Sequence, residues 1–261
     1  MHKKRFFSLA ALFMLCFTAV GTAVEWEAPS DYVVAGVIGA SLEMAQAPED
    51  FIVAPNSWYM GGKYKTWVDY IACFHIEDFH WLNYANAGDI SVNGMKYLNQ
   101  LLTQTLVLDA TGQPVTTVEI LVIGFWGNDF VWLPGYSQPV MDAMVQNVNN
   151  QIEAAKNAGV EKIIITGWPD YQDLDLDYFI TLFPELTVHI DEAGYNQAKE
   201  YYYNIFGQPN PDYIFVDPWC RYKTFDGIHP AAGTSKKAAL TILEAVKRYD
   251  KLIGNKNLYC H

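Results

Sequence analysis

Basic residues are scarce in this chain. Seventeen lysines and arginines stand against 29 aspartates and glutamates, for a formal net charge of −12 over 261 residues. Such a chain repels a phosphate backbone, which excludes nucleic acid as a partner. Beyond residue 20 there is no apolar run long enough to span a bilayer. Linkers, composition breaks and internal repeats are also missing, so the sequence reads as one continuous domain. Cysteine is limited to four residues, at positions 16, 73, 220 and 260. His75, Glu77, Asp78 and His80 lie close together, but no cysteine or second motif completes a metal site with them. They read as a polar approach to a strand. Apolar residues make up 51% of the chain, enough to bury a sizeable core.

The N-terminus reads as a secretory signal. His2-Lys3-Lys4-Arg5 is a basic leader, residues 6–20 are an apolar run short for a membrane span, and Gly21-Thr22-Ala23 offers small residues for cleavage. Leu15 is too bulky for a lipoprotein box at Cys16. The expected division is a signal peptide over 1–23 and one domain over 24–261, in a secreted or periplasmic protein. Losing Lys3, Lys4 and Arg5 takes the net charge to about −15. Cys73, Cys220 and Cys260 then allow one disulfide and one free thiol. Cys220–Cys260 is the favoured pair, since both lie in the C-terminal part and Cys73 falls in a helix-like apolar run.

Apolar runs of strand length recur along the chain at residues 32–38, 81–85, 118–125, 162–167 and 213–216. Between and after them, helical spacing covers residues 67–72, 92–108, 141–158, 190–206 and 231–253. Residues 49–65 read as irregular, broken by Pro55 and Gly61-Gly62. Asp173, Asp175 and Asp177 imitate the start of a calcium loop. Tyr178, however, stands where that loop needs glycine, and Pro184 where it needs glutamate, so the segment reads as a solvated loop. Tyr195, Tyr201, Tyr202 and Tyr203 read as packing residues. The alternation predicts the α/β class: a three-layer α/β/α sandwich around a five-stranded, mostly parallel sheet.

Chemistry-bearing residues follow four of these strands. Ser41 comes after the first, in Gly39-Ala40-Ser41-Leu42. Gly88 comes after the second, and Asn128 after the third. Asp226-Gly227-Ile228-His229-Pro230 comes after the fifth. Ser41 alone is as compatible with a helix N-cap, and Asn128 alone with an Asx-turn. Together they include a hydroxyl, an imidazole with a carboxylate three residues away, and an amide, and a parallel sheet gathers strand ends on one edge. Those are the parts of acyl-transfer chemistry.

These blocks resemble the SGNH hydrolases, the GDSL esterase/lipase family. Gly39-Ala40-Ser41-Leu42 is similar to the first block, and Asn83-Tyr84-Ala85-Asn86-Ala87-Gly88 to the second. Gly127-Asn128-Asp129 is similar to the third and Asp226-Gly227-Ile228-His229-Pro230 to the last. Trp67-Val68-Asp69-Tyr70 and Pro169-Asp170 resemble secondary features of lipase-type members. The resemblance implies a flavodoxin-like sheet, Ser41 as nucleophile, His229 as base and Asp226 as its orienting acid. It implies an oxyanion hole from the N–H groups of Ser41 and Gly88 and the Asn128 side chain, with no metal or organic cofactor. One departure is Ala40, where the family usually carries aspartate.

The expected activity is a secreted esterase acting on acyl esters of lipids, of lipase, phospholipase A or lysophospholipase type, with acyl transfer as a variant. Its expected partner is a small-molecule or lipid ester, with transient contact to a membrane surface. A carbohydrate O-acetylesterase is the alternative, for which Trp58, Trp126 and Trp132 would stack on sugars. A non-catalytic exported binding protein of the same fold is a third reading, resting on Ala40.

Overall fold

A computed structural model describes residues 33–45, 52–53, 65–73, 79–131, 136–184 and 191–260. The signal-peptide reading, His75, Glu77 and Asp78, and Trp58 and Trp132 lie outside these residues, as does most of the segment read as irregular.

The described residues form a seven-stranded sheet in which every neighbouring pair is parallel. Its strands are β1 (Val33–Gly39), β2 (Ile52–Val53), β3 (Phe79–Asn83), β6 (Val118–Gly124), β7 (Lys162–Thr166), β8 (Ile214–Asp217) and β9 (Leu258–Tyr259). The order across the sheet is β2-β3-β1-β6-β7-β8-β9. Five of these are the expected strands, in a flavodoxin-like order with β1 between β3 and β6. The expected count of five is corrected to seven. The two additions, β2 and β9, are two-residue edge strands, too short to leave a periodic signal.

Apolar composition explains the sheet's position. In β1 the residues from Val34 to Gly39 are buried, and in β6 only Glu119 is exposed. Strands covered on both faces need side chains without charge, and branched ones fit the pleat. The helices cover them: α1 (Trp67–Cys73), α2 (Gly94–Thr105), α3 (Asn128–Val131), α4 (Gln138–Asn157), α5 (Leu176–Leu182), α6 (Glu192–Phe206), α7 (Ala232–Lys247) and α8 (Tyr249–Leu252). Helix α1 packs on α7, while α4 packs on both α2 and α6.

Three local expectations are corrected. The helical reading over 92–108 ends at Thr105, where the chain turns into an antiparallel hairpin of β4 (Leu106–Leu108) and β5 (Pro114–Thr116). Branched residues and the Gly112 turn outweigh the helical period there. The acidic loop is structured: Asp175 accepts from the Tyr178 backbone N–H at 3.0 Å and caps α5. The long last helix breaks at Arg248 into α7 and α8. The tyrosines behave as expected: Tyr195 and Tyr202 are buried, and Tyr202 stacks on Trp168 with ring centres 4.6 Å apart.

Candidate active site

The carboxyl ends of β1, β3 and β6 are stitched to one another. Gly39 is in register with Gly124, and Val37 with Asn83. Past the strands, the Ala40 N–H donates to the Gly124 carbonyl at 2.9 Å, and the Asn86 N–H to the Gly39 carbonyl at 3.1 Å. The chain then turns tightly after β1, closed by the Glu43 N–H on the Ala40 carbonyl at 3.2 Å. Ser41 stands in that turn and is 8% exposed; Ala40 is fully buried. Ser41 is therefore not a helix N-cap.

Gly88 lies in the loop after β3, exposed, with φ of +72°. A residue with a Cβ is strained there, so glycine suits the turn. The next residue, Asp89, is buried and accepts from Tyr97, Asn86, Asn93 and the Ile90 N–H. Burial opposes its ionisation, but these donors prevail and hold its carboxyl below the usual range.

Asn128, the first residue of α3, is 2% exposed, and its side-chain amide donates to the Asp89 carbonyl at 2.8 Å. That bond joins the loops after β3 and β6 and fixes the amide plane. Asp129 beside it accepts from the Ser91 N–H at 2.9 Å and the Ser91 hydroxyl at 2.5 Å. Ser91 in turn receives Asn147 and Gln151 of α4. Burial raises the Asp129 carboxyl despite the Ser91 bonds. Sequence reasoning missed Asp89, Ser91 and Asp129 as supports. The available signal was their polarity directly beside Gly88 and Asn128, in otherwise apolar surroundings.

Asp226 and His229 form a direct pair. Asp226 Oδ2 lies 2.6 Å from His229 Nδ1, while Oδ1 accepts the N–H groups of Ile228 at 3.0 Å and His229 at 2.7 Å. Gly227 makes the loop that permits this. Its φ is +96°, and a Cβ there would meet the Asp175 carbonyl oxygen at 2.1 Å. The Asp175 N–H donates to the Gly227 carbonyl at 2.8 Å, which ties the loop to the start of α5. Phe179 of α5 and Phe225 flank the imidazole, with ring centres 6.4 and 6.0 Å from it. Burial works against ionisation of Asp226, but the His229 ring and the two N–H groups outweigh it and hold the carboxyl below its ordinary value. An ionised Asp226 keeps the proton on Nδ1 and leaves Nε2 as the proton acceptor.

Two further ties fix the loop from β8. Trp219 donates through its indole N–H to the Gly167 carbonyl at 2.7 Å, and the Tyr222 hydroxyl to the Ile228 carbonyl at 2.8 Å. Cys220 and Cys260 form the expected disulfide, joining that loop to the end of β9. Trp126 is buried and donates to the Tyr195 hydroxyl at 2.8 Å. It is a packing residue, which removes it from the expected sugar-stacking set.

Thus Ser41, Gly88 and Asn128 follow three adjoining strands, and the Asp226–His229 pair follows β8 at the same edge of the parallel sheet. Gly88 and Asn128 are linked through Asp89. Among the described residues, no hydrogen bond joins the Ser41 hydroxyl to His229.

Solved structures similar to this chain include esterases. A carbohydrate acetylesterase from Sinorhizobium meliloti matches with a TM-score of 0.55 and 16% identity, over 83% of this chain and 99% of its own. The chain has the SGNH hydrolase fold. An aryl esterase of M. smegmatis in its inhibitor-bound form matches at 0.54 and 14% identity, over 82% and 98%. An acetyl-xylooligosaccharide esterase from Geobacillus matches at 0.52 and 15% identity, over 84% and 96%. No protein-family model and no curated protein sequence matches.

Proposed function

We propose that the chain is a serine esterase of the SGNH hydrolase family that cleaves carboxylic esters. Ser41 Oγ bonds to the acyl carbon as its proton passes to His229 Nε2. The negative oxygen that forms is met by the N–H groups of Ser41 and Gly88 and by the Asn128 amide. When the carbon–oxygen bond to the leaving alcohol breaks, His229 returns the proton to that alcohol. Water then attacks the acyl-serine by the same route, releasing the acid and restoring the hydroxyl. The observation that carries this reading is the Asp226–His229 contact of 2.6 Å, on the sheet edge where the turn holding Ser41 also lies. The missing bond between Ser41 and His229 is compatible with it, since such bonds tighten once substrate is bound.

The finer reading is an apolar acyl ester of lipid type. Helix α5 rests on the His229 loop through Phe179 and exposes Tyr178 and Leu182, one turn apart on one face. That apolar face would hold an acyl chain and meet a lipid surface, and transfer of the acyl group to an alcohol other than water would use the same steps. A second reading, an O-acetylesterase acting on carbohydrate, is favoured by the acetylesterases among the similar structures. Export is part of the proposal, supported by the Cys220–Cys260 disulfide, a bond that persists in oxidising compartments.

The test is hydrolysis of p-nitrophenyl esters from acetate to long acyl chains, beside an acetylated xylooligosaccharide, by the purified protein and by Ser41→Ala. Rates rising with chain length support the lipid reading, and preference for the acetylated sugar supports the second. Activity equal in both proteins, or absent from both, overturns the esterase proposal.

A further inference from the structure

The turn that carries Ser41 rests on a buried acid that the catalytic steps above do not use. Glu43, two residues beyond Ser41, is 1% exposed. Its backbone carbonyl accepts from the Asn83 side chain at 2.6 Å, at the end of β3, and its N–H closes the turn on Ala40. Its side chain lies flat against Gly124 at the end of β6, where a Cβ would come within 2.2 Å of the Glu43 Cδ. Oε1 accepts from the Thr166 hydroxyl at 3.0 Å, at the end of β7. One residue thus touches three strand ends and the Ser41 turn. Oε2 makes no hydrogen bond among the described residues.

Resting on the esterase reading, we infer that Glu43 is a positioning residue, that its neutral acid form holds the Ser41 turn in register, and that its ionisation loosens the turn and sets the alkaline limit of activity. A carboxylate in this place would carry an uncompensated charge, because no cation among the described residues acts on it. Asn83, Gly124 and Thr166 bring no charge from β3, β6 and β7. The titratable groups coupled to it are Tyr202 from α6 and Tyr222 from the loop after β8, both buried phenols held well above their ordinary range and hence neutral. Burial pushes the Glu43 carboxyl up to about 8, against the smaller opposing pull of Thr166 and of Glu43's own N–H. A charge there would demand water, and water would enter through the turn above it.

The experiment compares wild type, Glu43→Gln and Thr166→Val from pH 5 to 10. It follows ester hydrolysis and, separately, hydrogen exchange of the Ala40 and Glu43 amides. In wild type, kcat should fall toward tenfold per pH unit above about pH 8, while Glu43→Gln stays within about threefold of its neutral rate. Thr166→Val, which removes the donor that favours the ionised form, should move the limb to higher pH. This variant keeps the test open if Glu43→Gln fails to fold. Parallel alkaline limbs in all three proteins overturn the inference. If no protein hydrolyses any ester, the esterase reading fails, and exchange alone decides for Glu43. The two amides should then open faster in wild type than in Glu43→Gln above pH 8, and equal exchange overturns the inference.

Discussion

His229 is bound to Asp226 twice, through its ring Nδ1 at 2.6 Å and through its backbone N–H at 2.7 Å. The first contact sets the tautomer and the second sets the loop. Asp226→Asn removes the charge and keeps the shape, so it separates the two effects. Rotated to keep the backbone bonds, the amide no longer favours the proton on Nδ1. The expected result is a fall in kcat of about 10³–10⁴-fold with little change in KM. Thermal unfolding should shift far less than for Asp226→Ala, which also abandons the Ile228 and His229 N–H groups. Steady-state kinetics beside calorimetry check this.

The same pair predicts the acid limb of activity. Asp226 is held ionised below the ordinary carboxylate range by His229 and the two N–H groups, which outweigh its burial. As pH falls, Asp226 therefore keeps its charge to lower pH than an ordinary carboxylate. A base must be neutral to accept a proton, so kcat/KM should drop as pH falls. The profile should show one protonation on this limb; two, with a slope approaching a hundredfold per unit, would contradict the role given to Asp226.

Asn128 is expected to act on the transition state. Removing a single oxyanion donor typically lowers kcat by about 10²–10³-fold. Asn128→Ala should do so, and it should also loosen the Asp89 loop, because the bond to the Asp89 carbonyl disappears. Ser91→Ala is the control for that loosening. It strips a donor from Asp129 without touching Asn128, and should cost about 1–3 kcal/mol of stability while kcat falls much less. Equal losses of kcat in the two variants would show that the oxyanion role is misassigned.

The residues that announced themselves in the sequence are those with little freedom to vary locally. Strands β1 and β6 are apolar on both faces because both faces are covered, and the run ends where Ser41 and Asn128 begin. Asp226 and His229 are three residues apart, so their contact needed only a glycine between them. The missed features depend on partners distant in sequence. β9 is two residues held by pairing with β8 and by the Cys260 bridge. α5 exists because Asp175 caps it while donating to Gly227. Trp126 looks exposed beside glycines, yet it is buried against Tyr195, 69 residues on. Glu43 carries no local sign of burial, and only the closing of β3, β6 and β7 around it makes it a buried acid.

The Cys220–Cys260 bridge closes a loop with a sequence separation of 40. Constraining such a loop in the unfolded chain is worth about 4 kcal/mol. Cys260→Ser should lower the melting temperature by the equivalent amount, and reductant should do the same to wild type but not to the variant. Because Trp219 and Tyr222 hold the loop of Asp226 and His229 independently of the bridge, kcat well below the melting temperature should change little. A large loss of kcat without loss of stability would assign the bridge to the site instead.

Stability should also depend on pH through Glu43, and the sign follows from the direction of its shift. The carboxyl moves from its ordinary 4.5 to about 8 on folding, chiefly by burial. Below pH 4.5 both folded and unfolded chains carry the proton, and the group's contribution is fully present. Between those two values only the unfolded chain gives the proton up, so stability falls by roughly 1.4 kcal/mol per pH unit. Above about 8 both forms are ionised and the loss is complete. Glu43→Gln has no proton to lose. Whatever fixed cost its amide carries, its stability relative to wild type should rise through this window, by several kcal/mol in total. Urea unfolding of both proteins at pH 5, 7 and 9 measures the difference. A difference that stays constant over that range would mean that Glu43 ionises in the folded protein as readily as in the unfolded one.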